Sequence, residues 1–186
     1  VALHLGTLIA VLAFFAADWV RVIRAGVQSL VERKIGGDQD RRLAWLLVIG
    51  CLPGAVAGVL FESKIEKLFH EPNAPHQLGA MLAMAVIIAL LGTAMFLAER
   101  FARHLRAFKQ ITLQDSFLIG LAQALALFPG VSRSGSTITA GLALGLERPA
   151  AAKFSFMLSA PIIAGAGLKS LWDIYQDLQA GAISQA

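Results

Sequence analysis

Between Leu78 and Ala98 the chain reads LGAMLAMAVIIALLGTAMFLA, without one charged side chain. A helix built from that run has no polar face, and a bilayer core is crossed by roughly 20 such residues. A soluble helical bundle, the competing class, needs a polar stripe on each helix, so this run argues for lipid as the solvent. The rest of the chain agrees. Hydrophobic residues make up 57% and charged residues 15% of its 186 residues, and the mean hydropathy is +0.69. That is too little charge to cover a soluble domain of this length. The expected fold is all-α: one integral membrane domain over residues 1–186, a polytopic helical bundle with spans at about 1–18, 43–61, 77–98 and 152–172. The opening VALHLGTLIAVLAFFAADW has no basic segment before its apolar core, so a cleaved signal peptide is not expected. Cys51 lies inside an apolar run and reads as a packing residue, with no disulfide framework and no cysteine metal site.

The cations are unevenly placed. Arg21, Arg24, Arg33, Lys34, Arg41 and Arg42 crowd residues 19–42, and Arg100, Arg103, Arg106 and Lys109 crowd 99–112. Residues 62–76 carry Lys64 and Lys67 against Glu62, Glu66 and Glu71, and the tail beyond Trp172 holds Asp173 and Asp177 but no cation. By the positive-inside rule the basic segments are cytoplasmic and Val1 starts outside. Arg148 and Lys153 then make 147–153 cytoplasmic too. Everything between 112 and 146 must therefore enter and leave on one side, as a re-entrant helical hairpin.

At the tip of that hairpin stands LFPGVSRSGSTITAGLALG, residues 127–145. Non-helical backbone at membrane depth is tolerated only inside protein or along a wet cavity, so the turn reads as a site. Pro129 ends the first half-helix and Gly130 permits the reversal. The second half-helix begins near Ser134 and aims its free N–H groups and positive dipole end at the turn. Arg133 adds a permanent charge with a planar fork suited to phosphate oxygens. Ser132, Ser134, Ser136 and Thr137 supply hydroxyls. The physical reading is a buried anion pocket, and an intramembrane arginine is a functional candidate by default. The bland alternative is a helix-capping Ser134 and an Arg133 that snorkels to the interface. Its weakness is depth: the turn lies about half a membrane from either cytoplasmic flank.

Near-matches to other motifs fail on single residues. GVSRSGST has phosphate-loop spacing, but Ser136 replaces the lysine and no strand precedes it. GVSRS lacks the final glycine of a nucleophile elbow, and a lipid-phosphatase histidine would have to occupy Thr139. His4 reads as a core histidine on an apolar span, and His70, His76 and His104 have no metal-ligand spacing. Gln123, ahead of Pro129 on the first half-helix, is positioned to hydrogen-bond in the pocket or to a neighbouring helix. Lys169 reads as snorkelling, and Glu62 with Glu66 as a solvated helix end. Pro53 in LPGAVAG and Pro161 in APIIAGAG suggest a repeat or paired helix kinks. The basic 19–42 segment lacks aromatic interleaving, and no nucleic-acid partner is expected.

IGLAQALALFPGVSRSGSTITAGLALGLERPAAAKFSFMLSAPIIAGA strongly resembles the bacterial undecaprenyl-diphosphate phosphatase family of the bacitracin-resistance type. ALHLGTLIAVLAFF and LPGAVAGVLFESKIEKLF resemble its earlier segments in the same order. The resemblance implies a multi-pass enzyme of the bacterial inner membrane, built as an inverted repeat, with its site on the periplasmic side. It would hydrolyse undecaprenyl diphosphate to undecaprenyl phosphate and phosphate, recycling the carrier lipid for peptidoglycan synthesis and conferring bacitracin resistance. It also implies a divalent cation, Mg or Ca. By position, Arg133 would bind the diphosphate, and Ser132 would bind phosphate or act as the nucleophile. Ser134, Gly135 and Thr137, with Gly130 and Gln123, would complete the substrate cradle. The family's paired glutamates and Ser-Ser-Thr-Gly-His run are not in this sequence. The chain is thus expected to be an internal part of a longer enzyme, inactive alone, with no metal ligand of its own. The expected partners are the membrane and a polyprenyl diphosphate lipid, and a homodimer is compatible with this reading. The rival class is a transporter or flippase holding a phosphorylated lipid or solute in the same cradle.

Overall fold

The computed structural model describes residues 2–35, 38–70 and 77–179. Among them α-helix dominates: α1 (Ala2–Phe14), α2 (Ala16–Glu32), α3 (Gln39–His70), α4 (Gln77–Phe101), α5 (Leu113–Ala124), α6 (Arg133–Ala143) and α7 (Arg148–Gln179). Gln39–Phe61, Met81–Phe101 and Arg148–Lys169 are each long and apolar enough to cross a membrane. The chain folds as an all-α membrane helical bundle. His76 lies outside the described residues, as do the side chains of His4, His70, Glu62 and Glu66.

The first apolar run does not continue straight to Asp18. It breaks at Phe15, and α2 leaves at 80° to α1. Residues that read as a basic connection form a helix because Val22, Ala25 and Ser29, spaced about one turn apart, give it one buried face. The helix packs on α3 and ends where Arg33 turns left-handed, at φ 51°.

Small residues bring α3 and α5 together. The Ser116 hydroxyl donates to the Leu46 carbonyl one turn below the point where Gly50 and Gly120 meet. A Cβ built on Gly120 would stand 2.2 Å from the Gly50 carbonyl oxygen. A turn further on, Gly54 of α3 lies against the Gln123 carboxamide. Where lipid is as apolar as leucine, such close backbone approach is what holds helices together. The core around it takes Leu46 and Leu47 from α3, Ile119 from α5, Leu142 from α6, and Phe154, Met157 and Leu158 from α7. By contrast, Met81–Phe101 buries almost nothing against the other described residues.

The two ends of the α5–α6 hairpin are fastened to each other. Leu105 and Arg106 N–H groups donate to the Gly145 carbonyl (3.0 and 2.9 Å), and the Glu147 N–H donates to the Arg106 carbonyl (2.9 Å). The Arg106 guanidinium grips both ends at once. It donates to the Leu144 carbonyl behind α6 (3.0 Å) and to both carboxylate oxygens of Asp115 in the first turn of α5 (3.0 and 2.5 Å). Asp115 also accepts from the N–H and hydroxyl of Thr112, which caps α5 in return. Burial alone would raise the Asp115 carboxyl; the Arg106 and Thr112 hydrogen bonds outweigh it and hold it below the usual carboxylate range. A depressed folded-state value stabilises the fold above the ordinary carboxylate range and is lost as pH falls through it. Unfolding in detergent should therefore become easier as pH falls below about 4, the ordinary aspartate value. Asp115→Asn should lower stability at neutral pH and flatten that acid dependence. An unchanged acid profile in the variant would remove Asp115 as its source.

Candidate active site

The chain reverses after α5 through a short 3₁₀ turn, Leu125–Leu127, and through Gly130 at φ +85°. A side chain at Gly130 would meet Ile88 of α4 at 2.7 Å as well as the strained backbone, so glycine is required twice over. Ser132 then takes extended backbone and caps α6, its Oγ accepting the Gly135 N–H at 3.1 Å. The Ser136 N–H is taken by the Ser132 carbonyl. The N–H groups of Arg133 and Ser134, at the first turn, have no partner within the helix.

Arg133 begins α6, one residue ahead of the expected start. Its guanidinium is half-buried and makes no hydrogen bond or ion pair with a described residue. With Ser134 it faces a cavity of about 320 Å³. Ser159 of α7 and Thr7 of α1 add hydroxyls to the same cavity, and Val11, Phe156 and Ile163 give it an apolar wall. Ser159 and Thr7 had no signal in the sequence: Thr7 is a lone hydroxyl on an apolar helix, and Ser159 follows Ser155 by one turn with nothing local to tell the two apart. Only the packing of α1 and α7 beside the hairpin puts them opposite Arg133.

The other hydroxyls of the turn are committed elsewhere. Thr137 is buried, donating back to the Arg133 and Ser134 carbonyls and meeting the Ser155 hydroxyl at 2.5 Å. Ser136 and Thr139 likewise bond to carbonyls one turn back. Gly135 is buried in the α6 turn beside Ser132, and Ser132 itself lies next to the cavity rather than among its lining residues. Gln123 is apart from it, buried against Gly54, with neither amide atom hydrogen-bonded. Replacing Thr137 by the isosteric valine should lower stability by about 1–3 kcal/mol, since Ser155 loses its buried partner. Substrate KM should hold. A raised KM at unchanged unfolding temperature would instead make Thr137 a ligand contact.

The donors around the cavity are a guanidinium, hydroxyls and helix N–H groups. Divalent cations of the Mg or Ca kind take carboxylate and carbonyl oxygens, and an arginine repels them. No group of three or more His, Cys, Asp or Glu side chains occurs among the described residues. These residues suit an anion and do not by themselves fit a metal. His104 is remote from the cavity, its Nε2 at 3.1 Å from the Glu99 carbonyl.

The family model described as bacitracin resistance protein BacA matches residues 1–185. The chain belongs to the BacA family. Among curated members, it is 47% identical to the undecaprenyl-diphosphatase of Thermomicrobium roseum over 168 residues, which is 90% of this chain and 60% of that protein. It is 44% identical to the undecaprenyl-diphosphatase of Moorella thermoacetica, covering 94% of this chain and 61% of the relative. A relative of the same name from an Anaeromyxobacter species is 47% identical, with 51% of its length matched. The chain therefore spans between half and about three fifths of these BacA relatives.

Proposed function

We propose that the protein containing this chain hydrolyses undecaprenyl diphosphate to undecaprenyl phosphate and inorganic phosphate in the bacterial inner membrane, from the periplasmic side. The observation that carries the proposal is Arg133: a half-buried cation with no partner among the described residues, at the N-terminus of α6, facing a cavity with apolar walls. The relatives' names supply the substrate and the reaction.

The diphosphate would lie against the Arg133 fork and the free N–H groups of the first α6 turn, with the Ser134 and Ser159 hydroxyls beside it. The polyprenyl tail would follow the apolar wall. As a P–O bond forms at the terminal phosphorus and the anhydride P–O bond breaks, negative charge grows on the bridging oxygen that leaves as undecaprenyl phosphate. A fixed guanidinium and oriented N–H groups stabilise that charge without reorganising. Ser132 is close enough to the turn to bind phosphate or to attack it. If it attacks, its Oγ gives up the Gly135 N–H and loses its proton to a base that the cavity-lining residues do not include, and water must then break the Oγ–P bond to release inorganic phosphate and restore the hydroxyl. The divalent cation is part of this proposal for the whole protein, with ligands other than the cavity-lining residues described above.

The direct test is phosphate release by the purified parent protein from undecaprenyl diphosphate in detergent, with Mg or Ca supplied. Release should be catalytic. A folded protein that releases none under those conditions would overturn the proposal and favour lipid transport through the same cavity.

A further inference from the structure

A second cavity, of about 580 Å³, lies at the opposite end of the hairpin from Arg133, where α3 and α5 begin. Arg42, Lys109, Asp38, Gln39, Trp45, Ile35 and Leu113 line it. The Arg42 guanidinium gives one N–H to the Ile111 carbonyl (2.7 Å), which ties it to the segment before α5. Neither Arg42 nor Lys109 pairs with a described carboxylate. Of the neighbouring acids, Asp18 pairs with Arg21 and Lys153, Asp40 with Arg21, Glu32 with Arg41 and Asp115 with Arg106, while the Asp38 carboxylate in the cavity accepts only the Asp40 N–H (3.3 Å) among the described groups. Trp45 is fixed by its Nε1, which donates to the Ser29 hydroxyl at 2.9 Å.

We propose that this groove is a binding site for the headgroup of an anionic glycerophospholipid. It sets two cations, Arg42 and Lys109, against the single carboxylate of Asp38, beside an anchored indole at the level where the apolar span Gln39–Phe61 starts, the depth at which headgroup phosphates and interfacial tryptophans sit. Apolar surface continues from it along both helices. Leu52 and Val56 follow Arg42 and Trp45 on α3 at helical spacing, and Phe117 and Leu121 follow Leu113 on α5; all four are exposed. A phosphodiester held by Arg42 and Lys109 would thus leave its acyl chains lying against protein. Free phosphate would use the same cations but gain nothing from that surface. The site stands independently of the phosphatase reading.

The test equilibrates the parent protein with mixed micelles holding equal amounts of phosphatidylglycerol and phosphatidylcholine, then counts retained lipids by native mass spectrometry. Phosphatidylglycerol should be retained preferentially. The double variant Arg42→Gln with Lys109→Gln should weaken that retention about thirtyfold, given the usual worth of two interfacial cations. Arg24→Gln with Arg103→Gln removes the same charge outside the groove and should leave retention unchanged. Lys109→Gln alone, which breaks no hydrogen bond within the described protein, should show about a fivefold loss even if Arg42→Gln disturbs the fold. Equal loss in the groove and control variants, or no preference in the wild type, overturns the site. Displacement of the lipid by millimolar inorganic phosphate also overturns it, in favour of a free-anion site.

Discussion

Arg133→Ala in the parent protein is expected to slow phosphate release from undecaprenyl diphosphate by about a thousandfold or more, the usual cost of removing a preorganised cation from a phosphoryl-transfer site. The guanidinium faces the cavity and has no partner among the described residues, so its loss leaves no described group unpaired. Removing a half-buried charge relieves a desolvation cost, and the unfolding temperature should stay level or rise. Structural arginines behave in the opposite way: their loss lowers stability first. Arg133→Lys keeps the charge but not the planar fork, and should recover only part of the rate. The decisive comparison sets phosphate release beside thermal unfolding for the same preparations. Full activity in Arg133→Ala would remove the cavity from the reaction altogether.

The second large effect is expected at the α3–α5 crossing. Gly120→Ala places a methyl carbon 2.2 Å from the Gly50 carbonyl oxygen, and the obstructing atom is backbone, which cannot swing aside. The helices must separate, carrying Ser116 away from the Leu46 carbonyl and opening the core on Ile119. Overpacking of this kind costs about 3 kcal/mol or more where no side chain can yield. Activity should fall as well, because α5 is the arm that holds the Arg133 turn. Gly58→Ala is the matched control: nothing stands within 4 Å of a Cβ there. An alanine in that helix should be neutral or stabilising by up to about 1 kcal/mol. Unfolding monitored by tryptophan fluorescence in detergent separates the two. Equal behaviour of both variants would mean that the Gly50–Gly120 approach is not a constraint.

These two predictions differ in how far the sequence foretold them. Arg133 was legible because its neighbours carry local signals: Pro129 and Gly130 for the reversal, Ser132 for the cap, and an apolar setting that makes any charge conspicuous. The helical membrane class was legible for the same reason, since runs such as 78–98 leave no polar face to interpret otherwise. The pairing of Gly50 with Gly120 was not. Glycines are common in membrane helices, and only the distance between two backbones far apart in sequence says which of them must stay small.

The hydroxyls show the division most clearly. In sequence Ser132, Ser134, Ser136 and Thr137 are equivalent donors beside one arginine. In three dimensions helical geometry turns Ser136 and Thr137 back onto carbonyls and leaves Ser134 facing the cavity, where Thr7 joins it from α1 and Ser159, itself donating to the Phe156 carbonyl, joins it from α7. Likewise, Arg106 holds Asp115 together with the Leu144 carbonyl, a tie between residues well apart in the chain. By itself the sequence determined the solvent, the helices, the polar reversal and its arginine, because each follows from residues near one another in the chain. The tertiary structure decided which hydroxyls from other helices line the cavity, which glycines are obligatory and what closes the foot of the hairpin. Those depend on partners brought from distant helices, and local patterning carries no record of them.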